Sequence, residues 1–284
     1  MKIFLMIIAY IILAPVISIV LSGLDRKINA RMQRRMGPPI LQPLYDVLKL
    51  MEKENIVVRR SQNFYIAFFL IFIIFTGALF FSGKDLLLVI FALTLAEIFF
   101  VLGGYKASSP YSIIGSQRAM IQMMAYEPIV ILAAVGMYMV TRSFYISDII
   151  SYGKPLFYYL PGLLFAFIFI LPMKLSKSPF DIAYSHHAHQ ELVKGMTTEF
   201  SGRSLAMVEV AHWYENILLL GFVWLFFANN ILTGAVFTLI IYFLMILIDN
   251  TFARAKWEMT LVSAWLVGLL FGVGNIIYLF FIPR

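Results

Sequence analysis

Eight predominantly apolar runs follow one another along this chain, near 3–22, 63–82, 85–104, 118–141, 157–173, 205–228, 231–249 and 261–281. Each has roughly the 17–25 residues that a helix needs to cross the hydrocarbon core of a bilayer. In lipid every backbone polar group must find its partner within the protein, which an α-helix achieves alone. The pattern therefore predicts an all-α integral membrane protein with about eight transmembrane helices. With 62% hydrophobic and 13% charged residues, the chain cannot clothe a soluble globule. No linker, low-complexity tract or repeat interrupts it, so one integral domain over residues 1–284 is expected. The first run follows a single Lys2 and lacks a small-residue cleavage signal, which reads as a retained span.

Charge sets the expected orientation. With the N-terminus outside, segments 23–62, 105–118, 174–204 and 250–260 lie inside and hold 17 of the 22 Lys and Arg. This is the positive-inside pattern, so both termini are expected on the outer side of the cell membrane. Segments 23–62 and 174–204 become cytoplasmic connections that form a docking face. The net charge of +7 does not point to nucleic acid, because the basic residues sit between spans, where lipid head groups and partner proteins lie. Cysteine is absent, which excludes thiolate-held iron–sulfur clusters, Cys-zinc sites and a Cys nucleophile. Only His212 falls within an apolar run, so a bis-histidine haem between spans is excluded too. The chain is expected to bind no cofactor, leaving electron carriage to partners.

The first inside connection contains a basic stretch, Arg26 to Arg35, then Gly37-Pro38-Pro39, which stops a helix. After Gln42, Leu44, Val47, Leu48 and Met51 fall at helical spacing, with Asp46, Lys49, Glu52 and Lys53 opposite and Pro43 in the first turn. This predicts a short amphipathic helix of about 12 residues lying in the interface. It serves either as a lipid-anchored connector or as a platform for a soluble arm.

Ionisable groups within the spans are Glu97, Glu127 beside Pro128, Glu209, His212, Glu215 and Asp249. Each costs on the order of several kcal/mol unless it faces water or a partner, so such groups mark ion pathways. Glu209, His212 and Glu215 recur every three residues, an arc of about 120° on one helix face. Acids with a histidine are what a proton relay needs, since each member must accept and release. The plainer alternative for any one of them is a hydrogen bond to a neighbouring helix. The connection Lys174–Arg203 gathers three of the four histidines, His186, His187 and His189, with Asp181, Glu191 and Glu199. A metal site is disfavoured, because the histidine tract is compact and lacks a distant ligand. A hydrolase triad is disfavoured because no Gly-x-Ser-x-Gly elbow exists. A polar contact surface fits better.

Four separated motifs then resemble the family of the membrane H subunit of respiratory complex I and its relatives in membrane-bound NiFe hydrogenases. They are Arg35-Met36-Gly37-Pro38-Pro39 with Leu41-Gln42-Pro43, Asp46 and Lys49; Gly115-Ser116-Gln117-Arg118 with Gln122 and Tyr126-Glu127; Ser178-Pro179-Phe180-Asp181 with Glu191-Leu192-Val193; and Thr198-Glu199-Phe200-Ser201-Gly202. The stretch His186 to Gly195, with Ala211-His212-Trp213-Tyr214-Glu215, is similar to the archaeal membrane-bound hydrogenase and sulfane reductase branch. The resemblance covers nearly the whole chain. It implies a subunit joining a peripheral redox arm to the membrane arm of a ferredoxin-dependent, ion-pumping complex. Implied partners are hydrogenase-like large and small subunits, a ferredoxin-like iron–sulfur subunit and other membrane subunits, antiporter-like ones among them. These would carry iron–sulfur clusters and, in the hydrogenase branch, a NiFe centre.

On this reading Glu97, Glu127, Glu209, His212, Glu215 and Asp249 form the path for protons or sodium. Arg35, Gln42, Asp46, Lys49, Arg118, Asp181, His186, His187, His189, Glu191 and Glu199 form the junction with the redox arm. Two alternatives stand beside it: the quinone-binding H subunit of an NADH or F420H2 dehydrogenase, and a purely structural anchor. A stand-alone transporter is disfavoured, since no pair of inverted halves shows.

Overall fold

The computed structural model describes residues 2–56, 59–183 and 194–281. Among them helix is the regular secondary structure, joined by turns and irregular connections, with an isolated bridge between Asp85 and Tyr145. The helices are α1 (Lys2–Met32), α2 (Gln42–Glu52), α3 (Arg60–Phe81), α4 (Leu86–Lys106), α5 (Pro110–Thr141), α6 (Ile146–Ser151), α7 (Pro161–Lys174), α8 (Gly202–Leu225), α9 (Ile231–Thr251), α10 (Trp257–Val267) and α11 (Gly274–Phe281). A π-helical turn, Gly268–Val273, joins α10 to α11 without a break.

Among the described residues six helices are long and apolar enough to cross a membrane: α1, α3, α4, α5, α9 and the continuous Trp257–Phe281. The chain is a multi-pass membrane protein. The other two expected spans differ in kind. α7 has only 14 residues, about 21 Å of helix against a hydrocarbon core of about 30 Å. Pro161 opens it, and the preceding Leu156–Tyr158 forms a separate 3-10 turn. Its last turn and a half, Ile170 to Lys174, is buried on every face, as in a helix enclosed by protein. α8 has the length, 24 residues, but carries Arg203, Glu209, His212 and Glu215.

Boundaries also move. α1 runs ten residues beyond its expected end at 22, so Arg26, Lys27 and Arg31 stand on rigid helix. α5 begins eight residues before 118, which makes Gly115 to Arg118 helical, and it passes through Pro128 without ending.

Contacts divide the chain into two compact units. The first comprises Met1–Ser82, Ala92–Ala119 and Ile182–Leu218. Its core includes Ile66, Phe69 and Ile73 of α3, Ala96 and Phe100 of α4, and Ala206 and Ala211 of α8. At 11 residues α2 is too short to be stable alone and depends on packing. Val47 is buried in a cluster with Ile19, Ala206 and Trp213, to which Leu44, Leu50 and Val210 add. This corrects the expected apolar face: Leu48 and Met51 are about half exposed, while Leu50 turns inward. The helix carries two apolar stripes, and the core takes the one containing Pro43, Val47 and Leu50.

The second unit comprises Gly83–Phe91, Met120–Asp181 and Leu219–Arg284. In it α7 packs against α9, α10, the π turn and α11. Asn275 of α11 ties the start of α7 in place. Its Oδ1 accepts from the N–H of Leu163 at 3.1 Å, and its Nδ2 donates to the carbonyl of Tyr159 at 3.0 Å. Gly162 permits this closeness, since a Cβ there would lie 2.6 Å from the carbonyl oxygen of Phe271 in the π turn.

Candidate functional site

The first unit holds a buried acid–imidazole pair. His212 and Glu215 lie one turn apart on α8, and Nδ1 of the imidazole meets Oε2 of the carboxylate at 2.9 Å. They are 7% and 5% exposed. Two rings flank the imidazole edge-on: Phe69 of α3 at 5.8 Å and Phe100 of α4 at 5.5 Å between centroids. Those rings stack on each other at 4.7 Å, and Phe200 approaches Phe100 at 6.2 Å. An apolar wall of this kind removes water and strengthens the electrostatic interaction it encloses. Glu97, 7% exposed, precedes Phe100 by one turn and shares its face of α4. Glu209 precedes His212 by one turn of α8 and is partly exposed. Tyr214, beside the pair, donates from its hydroxyl to the carbonyl of Ile11 at 2.9 Å, fixing α8 against α1.

The polar groups of the second unit surround the turn after α7. Lys174 and Lys177 are both buried; their ammonium groups lie 4.0 Å above the Tyr126 ring and 5.4 Å above the Tyr242 ring. Such cation–π contacts compensate in part for lost hydration. Glu127, next to Tyr126 on α5, is half-buried. The segment Ser178 to Asp181 is held from several sides. Asp249 accepts from the Ser178 N–H at 2.9 Å, and Ala255 donates its N–H to the Pro179 carbonyl at 2.9 Å. Gln122 donates to the Phe180 carbonyl, and Asp181 pairs with Arg254 at 3.1 Å. Asp249 thus sits at the end of α9 as a tether for the Ser178 turn. The sequence reading missed Lys174, Lys177 and Arg254, which it counted only as inside charges.

At the expected junction, Asp46 accepts from Arg26 at 2.5 Å and from Gln42 at 2.9 Å, which ties α2 to the extension of α1. Burial works to raise the Asp46 carboxyl, but the hydrogen bonds from Arg26 and Gln42 and the charges of Arg26 and Lys49 outweigh it and hold the group below the usual range. Arg35 and Lys49 are exposed; Arg118 and Glu199 are partly exposed. His186, His187, His189 and Glu191 lie outside the described residues. Among the described residues no group of three His, Cys, Asp or Glu could hold a metal ion.

Residues 4–280, nearly the whole chain, match the family described as NADH dehydrogenase. The chain belongs to that family. Within this NADH dehydrogenase family it is 30% identical over 291 residues to the H subunit of the NADH-quinone oxidoreductase of Syntrophotalea carbinolica, covering 89% of this chain and 87% of the relative. It is 29% identical over 276 residues to the hydrogenase-4 component C of Escherichia coli, with 86% of each covered. A chain in the solved structure of the membrane-bound sulfane sulfur reductase, an archaeal respiratory membrane complex, superposes with a TM-score of 0.85 at 25% identity. That likeness spans 98% of this chain and 100% of the other. The relatives are membrane subunits of complex I-like and hydrogenase-like assemblies, as the four motifs implied.

Proposed function

We propose that this chain is the membrane subunit that anchors the peripheral redox arm of a ferredoxin-dependent respiratory complex, of the membrane-bound hydrogenase or sulfane reductase type, and couples electron transfer to translocation of protons or sodium. The observation that carries this reading is the His212–Glu215 pair, an acid and an imidazole in contact and walled by aromatic rings inside a membrane subunit. A site with no role in transport gains little from keeping two titratable groups away from water, because apolar residues pack there at lower cost. Family membership supplies the setting, and the likeness to the sulfane reductase complex favours the ferredoxin-linked branch.

In this reading Glu97, Glu209, His212 and Glu215 supply proton- or ion-binding groups in the first unit, and Glu127 with Lys174 supplies them in the second. Asp46 and its partners, with Asp181 and Arg254, anchor the surfaces that face the redox arm. The partners are hydrophilic hydrogenase-like large and small subunits, a ferredoxin-like subunit and antiporter-like membrane subunits. They carry the iron–sulfur clusters and, in the hydrogenase case, a NiFe centre, while this chain holds none. Both termini lie on the outer side of the cell membrane, in line with the 17 of 22 basic residues assigned to inside segments.

The test is replacement of Glu215 or Glu127 by Gln in the native complex. Electron transfer into the terminal acceptor is followed together with ion uptake by sealed vesicles. Loss of uptake in an assembled complex is expected; full uptake in both variants would sink the reading. A quinone-binding role is the second reading, favoured by the relatives named as NADH-quinone oxidoreductase subunits. Purification in mild detergent separates the two. Nickel or iron–sulfur partners without quinone support the first, and bound flavin with quinone supports the second.

A further inference from the structure

The linker that follows α2 is fastened to the start of α8 by two serines, of which Ser201 makes the closer contact. Ser201 makes two hydrogen bonds to a single residue: its Oγ donates to the carbonyl of Ile56 at 2.7 Å and accepts from the N–H of Ile56 at 3.0 Å. A serine hydroxyl has one donor and two acceptor positions, so this contact uses it in both senses. One turn on, the Ser204 hydroxyl lies 3.2 Å from Oδ1 of Asn55. Between them Gly202 has φ +47°, and a Cβ there would lie 2.6 Å from the carbonyl oxygen of Glu54 and 2.9 Å from that of Lys53. Only glycine combines that backbone conformation with so close an approach. The linker main chain therefore lies directly on the start of α8 across residues 53–56.

A second attachment joins α2 itself to α8. Ala206, Val210 and Trp213 form one stripe of α8, at i, i+4 and i+7, and receive Leu44, Val47 and Leu50 of α2. Trp213 is flanked in sequence by His212 and is two residues from Glu215. At its other end α2 is bonded to α1 through Asp46 and Arg26. Two independent attachments, one polar and one apolar, fix two helices against sliding and rolling together.

We infer that Ser201 is a positioning residue: it pins the α2–α3 linker to α8, so that α2 and the first three turns of α8 move as one rigid lever, and a displacement of α2 is delivered to the His212–Glu215 pair. The transmission part rests on the coupling role proposed above, while the pin itself does not. Packed elements pass on displacement because close-packed contacts resist deformation. The lever has no need of a titratable group at the joint, and none is found at Asn55, Ile56, Ser201 or Ser204.

Two variants of the whole complex test the inference. Ser201→Ala removes both bonds to Ile56; amide exchange at Ile56 is expected to quicken by about tenfold, the loss of one ordinary hydrogen bond. Ions moved per electron should fall at least about twofold, the lower end of coupling carried through packed networks. Ser201→Thr keeps the hydroxyl and should restore both readings. Unchanged exchange at Ile56 in Ser201→Ala overturns the pin. A normal ion-to-electron ratio in that variant overturns the lever. Should the wild-type complex move no ions at all, the proposed function fails, and the exchange reading still decides on the pin.

Discussion

Replacing Asn275 by Leu removes both hydrogen bonds that bind α11 to the start of α7, at nearly constant volume. Across membrane helices such bonds average about 0.6 kcal/mol, which would make the pair worth little more than 1 kcal/mol. The structure argues for more. Pro161 has no N–H, and the Leu163 N–H has no intrahelical acceptor within the first turn of α7. Leu163 is 0% exposed, so water cannot replace the carboxamide. An orphaned buried donor costs about 1–3 kcal/mol, and the Tyr159 carbonyl adds a smaller amount, because an under-satisfied carbonyl is more easily tolerated. The expected loss is about 3 kcal/mol, or about 6 °C in the thermal midpoint for a chain of this size. Intrinsic tryptophan fluorescence of the detergent-purified protein measures it. A midpoint within about 2 °C of the parent would show that the α7 terminus finds other partners, and the capping argument would be wrong.

Three further outcomes are expected. Gly115→Ala places a Cβ 2.4 Å from the backbone nitrogen of Met196 and 2.8 Å from the carbonyl carbon of Gly195, so the midpoint should drop by about 4 °C or more, while Gly274→Ala, with nothing within 4 Å, should leave it unchanged or slightly raised. The depressed Asp46 carboxyl adds stability above its unfolded value of about 4 and loses it as pH falls through the lower folded value. Amide exchange in α2 should therefore be faster in Asp46→Asn than in wild type near neutrality, by under about 1 kcal/mol since the side chains of Arg26 and Asp46 are 38% and 41% exposed, and the two should converge in acid. Val47→Asp puts a charge into the cluster on α8 and should release α2, seen as rapid proteolysis of the 42–52 segment without loss of the other helices.

Six of the eight expected spans could be read from hydropathy as long apolar helices, because such runs have few other uses; the runs at 157–173 and 205–228 fold instead as a short helix and a helix carrying charged groups. The ends of the helices could not be read. Hydropathy cannot see that Pro161 restarts the chain after a 3-10 turn, nor that α1 continues as helix once its residues turn polar. On α2, positions 44, 47 and 50 and positions 44, 48 and 51 are both helically spaced and apolar, so periodicity alone offered two faces, and only the partner surface of α8 chose between them. The His212–Glu215 contact was legible because three-residue spacing is a local property. The rings around it come from helices more than 100 residues earlier and leave no local trace. Lys174 and Lys177 followed the positive-inside pattern in sequence, yet the fold turns them inward over tyrosine rings, an outcome that depends on α5 and α9.

The π turn in the last span has a consequence for how this helix can vary. A π turn holds one residue more than the α-helix it interrupts, and each residue of an α-helix advances the face by about 100°. Gly268–Val273 therefore sets the phase of everything after it, and Asn275 meets α7 only because that extra residue is there. Removal of a single residue from this turn would restore regular helix, keep the hydropathy of the span, and swing Asn275 about a quarter turn away from Leu163. The final helix is thus keyed by residue count, and at this point a deletion would be felt more than most substitutions.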